Sequence, residues 1–507
     1  MTKTTGQEPP RAHRSRRSGG FGRVPAEGPR KPWPLALAAL VLLVLAVPGA
    51  LLAAPGFLGP GFLGAGAPEP APAPPAWQQV PATLSAPQVL APLQPSAPVP
   101  LPSAVTAQVE PVLKADGGGT FTGMVQDALT GQVLFDRGGA EGRVPASNLK
   151  LLTAVAALRT LGPDHRFATR VVQGPAAGQV VLVGGGDVLL AAGESQPEQV
   201  MGHAGLATLA VLTAQALQAA GTTGDIKVLL DDSLFTGPAL NPAWQSGDVE
   251  AGEIAPLYPL ALNSARFDPA VTTGSRPQNS AMAAAEEFAA RLRAAGAGAG
   301  LTVAAGVERS PGASQASAAA LAAVESATVA EQVNLMLQVS DNYLAETMGR
   351  MAAVATGRSG SNDGATAVVA AELAAAGIAS ETVKLVDVCG LAMGNQVAAR
   401  QFTDVVRAIT AGADTRLRAA LDGFPVGGLS GTLDTRYGDA TTSGGAGLVR
   451  AKTGTLNTVL ALSGYVVDAD GRLLAFSFIG NGLTPGAAGN KEALDRAATA
   501  LAGCGCR

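Results

Sequence analysis

Histidine and cysteine are nearly missing from this chain, with three of each in 507 residues. His13 sits in a basic tail, which leaves His165 and His203, and there is no Gly-x-Ser-x-Gly elbow, so a Ser-His-Asp hydrolase is disfavoured. Neither a His-Glu-x-x-His run nor a paired-cysteine ligand set occurs; no catalytic zinc is expected and no cofactor is implied. Gly184-Gly185-Gly186-Asp187 lacks the Lys-Ser/Thr ending of a phosphate loop and reads as a turn after a strand, with Asp187 the one candidate there for facing a substrate. The cysteines, Cys389, Cys504 and Cys506, do not make a disulfide scaffold, and a chain this long has enough core without one. Cys504 and Cys506 stand two apart, would bridge only with strain, and read as part of a surface tail.

Lysine is also scarce: eight residues, against a total of 35 Lys plus Arg. The basic charge is uneven. Residues 1–32 carry about +6 and the remainder about −10, with no basic stripe, which excludes nucleic acid as a partner of the main body. Behind the basic tail lies an apolar run, 33–54, long enough to span a bilayer with the N-terminus in the cytoplasm. Pro48-Gly49 interrupts it and leaves 35–47 as a core of signal-peptide length. Small-x-small residues follow only at Ala65-Gly66-Ala67, so the segment reads as an uncleaved membrane anchor, the alternative being secretion after cleavage. Both readings export the body.

From residue 55 to 102 there are 14 prolines, a composition that builds no core and reads as a disordered spacer, extended to the order of 150 Å. Folding is expected from Ala104. Residues 121–127 and 132–135 read as paired strands, and 148–158 as a Leu/Ala-rich helix started by Pro145 and Ser147. Strand-like runs at 170–173, 179–183 and 226–230 alternate with helical stretches at 205–220 and 281–295. A long helical pattern, 328–348, is interrupted at Ser340-Asp341-Asn342. Strands at 448–453, 459–467 and 473–479 and a helix at 491–502 close the chain.

Against this background three short motifs stand in order: Ser147-Asn148-Leu149-Lys150, Ser340-Asp341-Asn342 and Lys452-Thr453-Gly454. Lys150 is the one lysine with serine three positions before it, and Lys452 the one followed by Thr-Gly. Residues three apart on a helix share a face, so Lys150 can reach the Ser147 hydroxyl. An ammonium is no base; the site must depress the Lys150 pKa by burial or by a second cation, for which Lys452 is the candidate. Ser340 and Asn342 offer a proton-relay hydroxyl and an amide, while Asp341 reads as orienting the loop. Lys452 and Thr453 can bind a carboxylate, Gly454 lets a substrate backbone lie along the strand edge, and the Thr455 N–H can complete an oxyanion hole with that of Ser147. The 193 residues between Ser147 and Ser340 exceed any loop inside a compact domain and point to an inserted domain.

The chain resembles the D-alanyl-D-alanine carboxypeptidase/endopeptidases of the class C low-molecular-mass penicillin-binding proteins. The resemblance runs from about residue 104 to 506. It rests on Pro145-Ala146-Ser147-Asn148-Leu149-Lys150, Gly184-Gly185-Gly186-Asp187, Asp231-Asp232-Ser233-Leu234-Phe235, Ser340-Asp341-Asn342, Gly431-Thr432-Leu433 and Lys452-Thr453-Gly454-Thr455-Leu456. It implies an α+β, penicillin-binding/serine β-lactamase-like catalytic domain, an antiparallel sheet with helices, split by a large insert between the first two motifs. The expected layout is a basic tail (1–32), membrane anchor (33–54), linker (55–103), catalytic parts (104–166 and 321–507) and insert (167–320). It also implies an acyl-serine peptidase acting on peptidoglycan peptides and acylated by β-lactams. Ser147 would be nucleophile and Lys150 base; Ser340 and Asn342 would serve proton transfer and positioning, and Lys452, Thr453 and Thr455 would bind carboxylate and oxyanion. The alternatives are a β-lactamase, which needs fast deacylation, and a wall-binding scaffold without turnover. Two departures stand out: Asp387-Val388-Cys389-Gly390-Leu391-Ala392, where the family usually has Asp-Gly-Ser-Gly-Leu-Ser, and Val188, where it often has proline.

Overall fold

The computed structural model describes residues 96–312 and 319–506, which belong to one compact unit. The basic tail, the apolar run and most of the Pro-rich linker lie outside the described residues; among those described, no helix is long and apolar enough to cross a membrane. Packed chain reaches back past the expected start at Ala104. Buried Ala97 accepts a bond from the Arg472 guanidinium through its carbonyl, and the Leu101 N–H donates to the Cys506 carbonyl.

In chain order the first elements are α1 (Pro102–Val109), β1 (Thr120–Asp127), β2 (Val133–Arg137), a 3-10 turn (Ala146–Leu149) and α2 (Lys150–Thr160). Next come β3 (Ala168–Gln173), β4 (Gln179–Val183), α3 (Leu206–Ala219), β5 (Gly224–Asp231), α4 (Ser280–Gly296), β6 (Leu301–Val303), β7 (Glu308–Arg309) and β8 (Ala320–Glu325). The chain ends with α5 (Val329–Gln338), α6 (Asn342–Ala355), α7 (Asn362–Ala375), α8 (Ala399–Thr410), β9 (Arg450–Leu456), β10 (Val459–Val467), β11 (Leu473–Asn481) and α9 (Ala488–Ala502).

Two sheets result. One is antiparallel throughout, in the order β2-β1-β11-β10-β9, and joins the two ends of the described chain. Its central strand β11 has Leu473, Ala475 and Ile479 in one core and Leu474, Phe476 and Phe478 in another, the period-2 pattern of a strand covered on both faces. The first core is filled by α2, α5, α6 and α8, and the second by α1 and α9. The other sheet, β6-β5-β4-β3-β8, lies wholly between the first two motifs and contains parallel pairs at β4–β5 and β5–β6. Helices α3 and α4 cover it, giving the intervening segment a core of its own.

The chain terminus departs from expectation. Cys504 and Cys506 are disulfide-bonded and buried in the core under α1 and α9, so this is packed structure and not a surface tail.

Candidate active site

The Ser147 turn is held from beneath. Asn148 is buried, and its side-chain amide donates to Ser463 Oγ at 2.6 Å, which lies 2.8 Å from Ser477 Oγ on the next strand. Ser463 is the register partner of both Lys452 and Ser477, so the serine turn is tied to the sheet row that carries Lys452. Gly454 shares a strand face with Lys452. A Cβ there would meet the Pro145 carbonyl oxygen at 2.9 Å, Ala146 Cβ at 3.0 Å and the Ser147 nitrogen at 3.2 Å. Glycine is thus needed for the serine turn to approach the edge strand, a tighter requirement than room for substrate. Ala146 adopts φ +47°, left-handed for a residue with a Cβ, the kind of strain that persists where surrounding packing over-determines it.

Lys150 begins α2 and is fully buried. Its Nζ lies 3.0 Å from Ser147 Oγ, 2.6 Å from Asn342 Oδ1 and 2.7 Å from the Cys389 carbonyl oxygen. Burial lowers its pKa, opposed by the Cys389 thiol and the carboxyls of Asp387, Asp341 and Glu346. Lys452 is buried too and donates to the Thr453 carbonyl at 3.0 Å; burial, then the charge of Lys150, pushes it well below the ordinary lysine range. Desolvation therefore leads at Lys150, the first of the two causes expected from the sequence.

The pattern 328–348 does break at the second motif. Helix α5, capped by Thr328 and Glu331, ends at Gln338; Ser340 takes φ +60°, and Asp341 caps α6 by accepting from the Leu344 N–H at 3.0 Å. Asn342 spans the cleft, accepting from Lys150 and donating to the Glu253 carbonyl at 3.0 Å.

Ser147, Ser340, Asn342, Thr453 and Thr455 line one cavity of about 370 Å³, together with Thr432, Arg436 and Lys491 from the antiparallel-sheet side and Glu253, Arg266 and Arg276 from the intervening segment. Thr432 Oγ1 stands 2.7 Å from Thr453 Oγ1. Ser147 and Ser340 are partly exposed while both lysines are buried, so the hydroxyls meet the cavity and the amines stand behind them. Asp187 does not line this cavity. It is buried, accepts from the Leu189 N–H at 2.9 Å and is pushed up to about 7 by burial. The glycines before it are steric: a Cβ at Gly185 would lie 2.0 Å from the Ala168 carbonyl oxygen.

Sequence reasoning missed the support under Lys150. The Cys389 loop has lost its hydroxyls, yet it serves the site through a backbone carbonyl that any residue supplies. Glu346 Oε1 accepts from the Val388 and Cys389 N–H groups at 2.8 and 2.9 Å and so fixes that carbonyl. Asp387 accepts from Trp244 Nε1 at 2.9 Å, from the Gly390 and Ala392 N–H groups and from Asn395. Glu346, Asp387 and Cys389 lie close enough together to suggest a metal site, but the Asp387 oxygens and Glu346 Oε1 already hold N–H donors, the chemistry of a braced loop. Burial raises Glu346 to about 7. Arg266 and Arg276 were missed as well, because nothing local in sequence ties them to a motif more than 60 positions away.

The profile of the D-Ala-D-Ala carboxypeptidase 3 (S13) family matches residues 105–278 and 271–501. A carboxypeptidase of Mycobacterium tuberculosis is 37% identical over 446 residues, covering 87% of this chain and 91% of that protein. The carboxypeptidase DacB of Mycolicibacterium smegmatis is 34% identical over 421 residues, covering 82% and 87%. Among solved structures, penicillin-binding protein 4 of Haemophilus influenzae matches with a TM-score of 0.60 at 21% identity, over 79% of this chain and 98% of that one, and supports the penicillin-binding α+β fold.

Proposed function

The chain belongs to the D-Ala-D-Ala carboxypeptidase 3 (S13) family, and from that premise we propose that Ser147 is its acyl-carrying nucleophile and Lys150 the base that activates it. The protein is a serine-type carboxypeptidase, a hydrolase of the D-Ala-D-Ala peptide linkage. The observation that carries the residue assignment is the three-way seat of the Lys150 amine, on Ser147, Asn342 and the Cys389 carbonyl, in a place where burial disfavours its charge.

In this reading a neutral Lys150 takes the Ser147 proton as Oγ attacks the carbonyl carbon of the penultimate D-Ala of a peptidoglycan stem peptide. Backbone N–H groups of Ser147 and Thr455 hold the oxyanion. A proton passes by way of Ser340 to the leaving amine, and the terminal D-Ala departs with its carboxylate held by Thr453, backed by Thr432 and Lys452. Water then cleaves the acyl-serine ester, releasing the shortened peptide as a carboxylate and returning the hydroxyl to Ser147. A β-lactam enters by the same attack and stays as an ester. We further propose that residues 33–54 attach the body to the membrane and 55–95 let it reach peptidoglycan beyond. Membrane fractionation of a variant lacking 33–54 tests this: the variant should leave the membrane fraction.

The test of the assignment is gel labelling of the purified protein with a fluorescent penicillin, beside Ser147→Ala. A covalent band lost in the variant supports the nucleophile; a band that survives means another residue carries the acyl group.

A further inference from the structure

The intervening segment grips three successive residues, the last two of the second motif and the one after it. Asp341 Oδ2 pairs with Arg266 at 3.0 Å, with both side chains less than a tenth exposed. Asn342 donates to the Glu253 carbonyl at 3.0 Å. The Tyr343 hydroxyl accepts from the Tyr258 N–H at 3.0 Å and stands 2.9 Å from Ser280 Oγ. Arg266 follows a run of three left-handed residues, Asn263, Ser264 and Ala265, with φ of +53°, +57° and +54°. Side chains with a Cβ do not adopt three such conformations in a row without restraint. Here the Asn263 and Ser264 N–H groups bond to the Leu190 and Val188 carbonyls, and Arg276 bonds the Ser264 carbonyl at 2.8 Å. The strained run thus delivers Arg266 to one buried carboxylate.

We propose that Arg266 is a positioning residue for acylation: its ion pair with Asp341 holds the Ser340-Asp341-Asn342 turn in place and neutralises the carboxylate nearest that turn, so that Lys150 is left free to give up its proton. The inference rests on Lys150 being the base. Titratable groups facing Lys150 are Asp341 at the cap of α6, Glu346 within α6, Asp387 and the Cys389 thiol from the loop, and Lys452 from β9. Those facing Asp341 are Arg266, Arg276 and Lys150. Asp341 favours the Lys150 ammonium, and burial opposes it. Removing Arg266 takes the ion-pair partner from Asp341 and strengthens the ammonium; removing the Asp341 charge does the reverse. A role confined to holding the turn would not make the two ends of one ion pair act with opposite signs.

The experiment is the pH dependence of acylation by a fluorescent penicillin in the full chain, for wild type, Arg266→Met, Asp341→Asn and the double variant, with thermal unfolding of each. Asn keeps the helix cap that Asp341 provides. The rising limb should move up by about one unit in Arg266→Met and down by about as much in Asp341→Asn, and return near wild type in the double variant. Arg266→Lys, which keeps the charge, should leave the limb in place even if the rate falls, and it carries the test should Asp341→Asn not fold. Limbs that stay put, or move in the same direction in both single variants, overturn the proposal. Ser147→Ala under the same conditions separates this outcome from failure of the underlying site: labelling that survives there refutes the nucleophile, whatever the limbs do.

Discussion

The buried cations behind the two sides of the cavity differ in type. On the antiparallel-sheet side stand Lys150 and Lys452, both fully buried and both pushed down by desolvation. On the opposite side stand Arg266 and Arg276, almost as buried, with Arg266 on a carboxylate and Arg276 on two backbone carbonyls. Burial lowers Arg276 too, but a guanidinium starts so high that it keeps its proton, whereas a buried lysine can lose one. One environment therefore suits a lysine to act as a base on one side and an arginine to stay a fixed charge on the other. In the proposed mechanism the buried lysines do the proton chemistry, and the buried arginines hold shape and field around them.

Exchanging the cation types should break the comparison most severely. Lys150→Arg keeps charge and length but cannot become neutral, so penicillin acylation should fall by roughly 10²–10⁴-fold while the protein stays folded, measured as a second-order labelling rate. Next in size is Gly454→Ala, whose Cβ would press on the Ser147 turn. A displacement approaching 1 Å should cost about 10²-fold in acylation with little change in unfolding temperature.

Lys452→Met probes the cost of burying a cation. Because the folded pKa lies well below the unfolded one, the native state is penalised at neutral pH, and the penalty fades as pH rises towards the unfolded value. The variant should thus melt above wild type near pH 7, and calorimetry should show the gap narrowing as pH rises. The smallest effect is expected at Ala146→Gly, which relieves a left-handed alanine on the lysine side; urea unfolding should show a gain of about 1 kcal/mol.

The same contrast explains what could be read from the sequence. Ser147, Lys150, Ser340, Asn342 and Thr453 were legible because side-chain chemistry in a fixed spacing is written locally, and the structure gathers them around one cleft. The 3-10 turn under Ser147 was not legible, since its geometry is imposed by Asn148 reaching Ser463 across 315 positions. The Cys389 loop misled because its function resides in a carbonyl, which leaves no mark on residue type. Asp187 looked like a site residue because of the glycine run before it, but Gly185 answers to the backbone of β3, Gly184 to Pro259 and Leu260, and Gly186 to Met351. The disulfide at Cys504 and Cys506 was underrated because nothing local shows that the final helix and α1 enclose the two cysteines in one core.

The most direct test of the account is the wild-type pH profile of Ser147 acylation. A buried Lys150 acting as the neutral base predicts a rising limb whose midpoint falls below the ordinary lysine value. A limb centred at that value, about 10.4, or a rate with no limb at all, would contradict it.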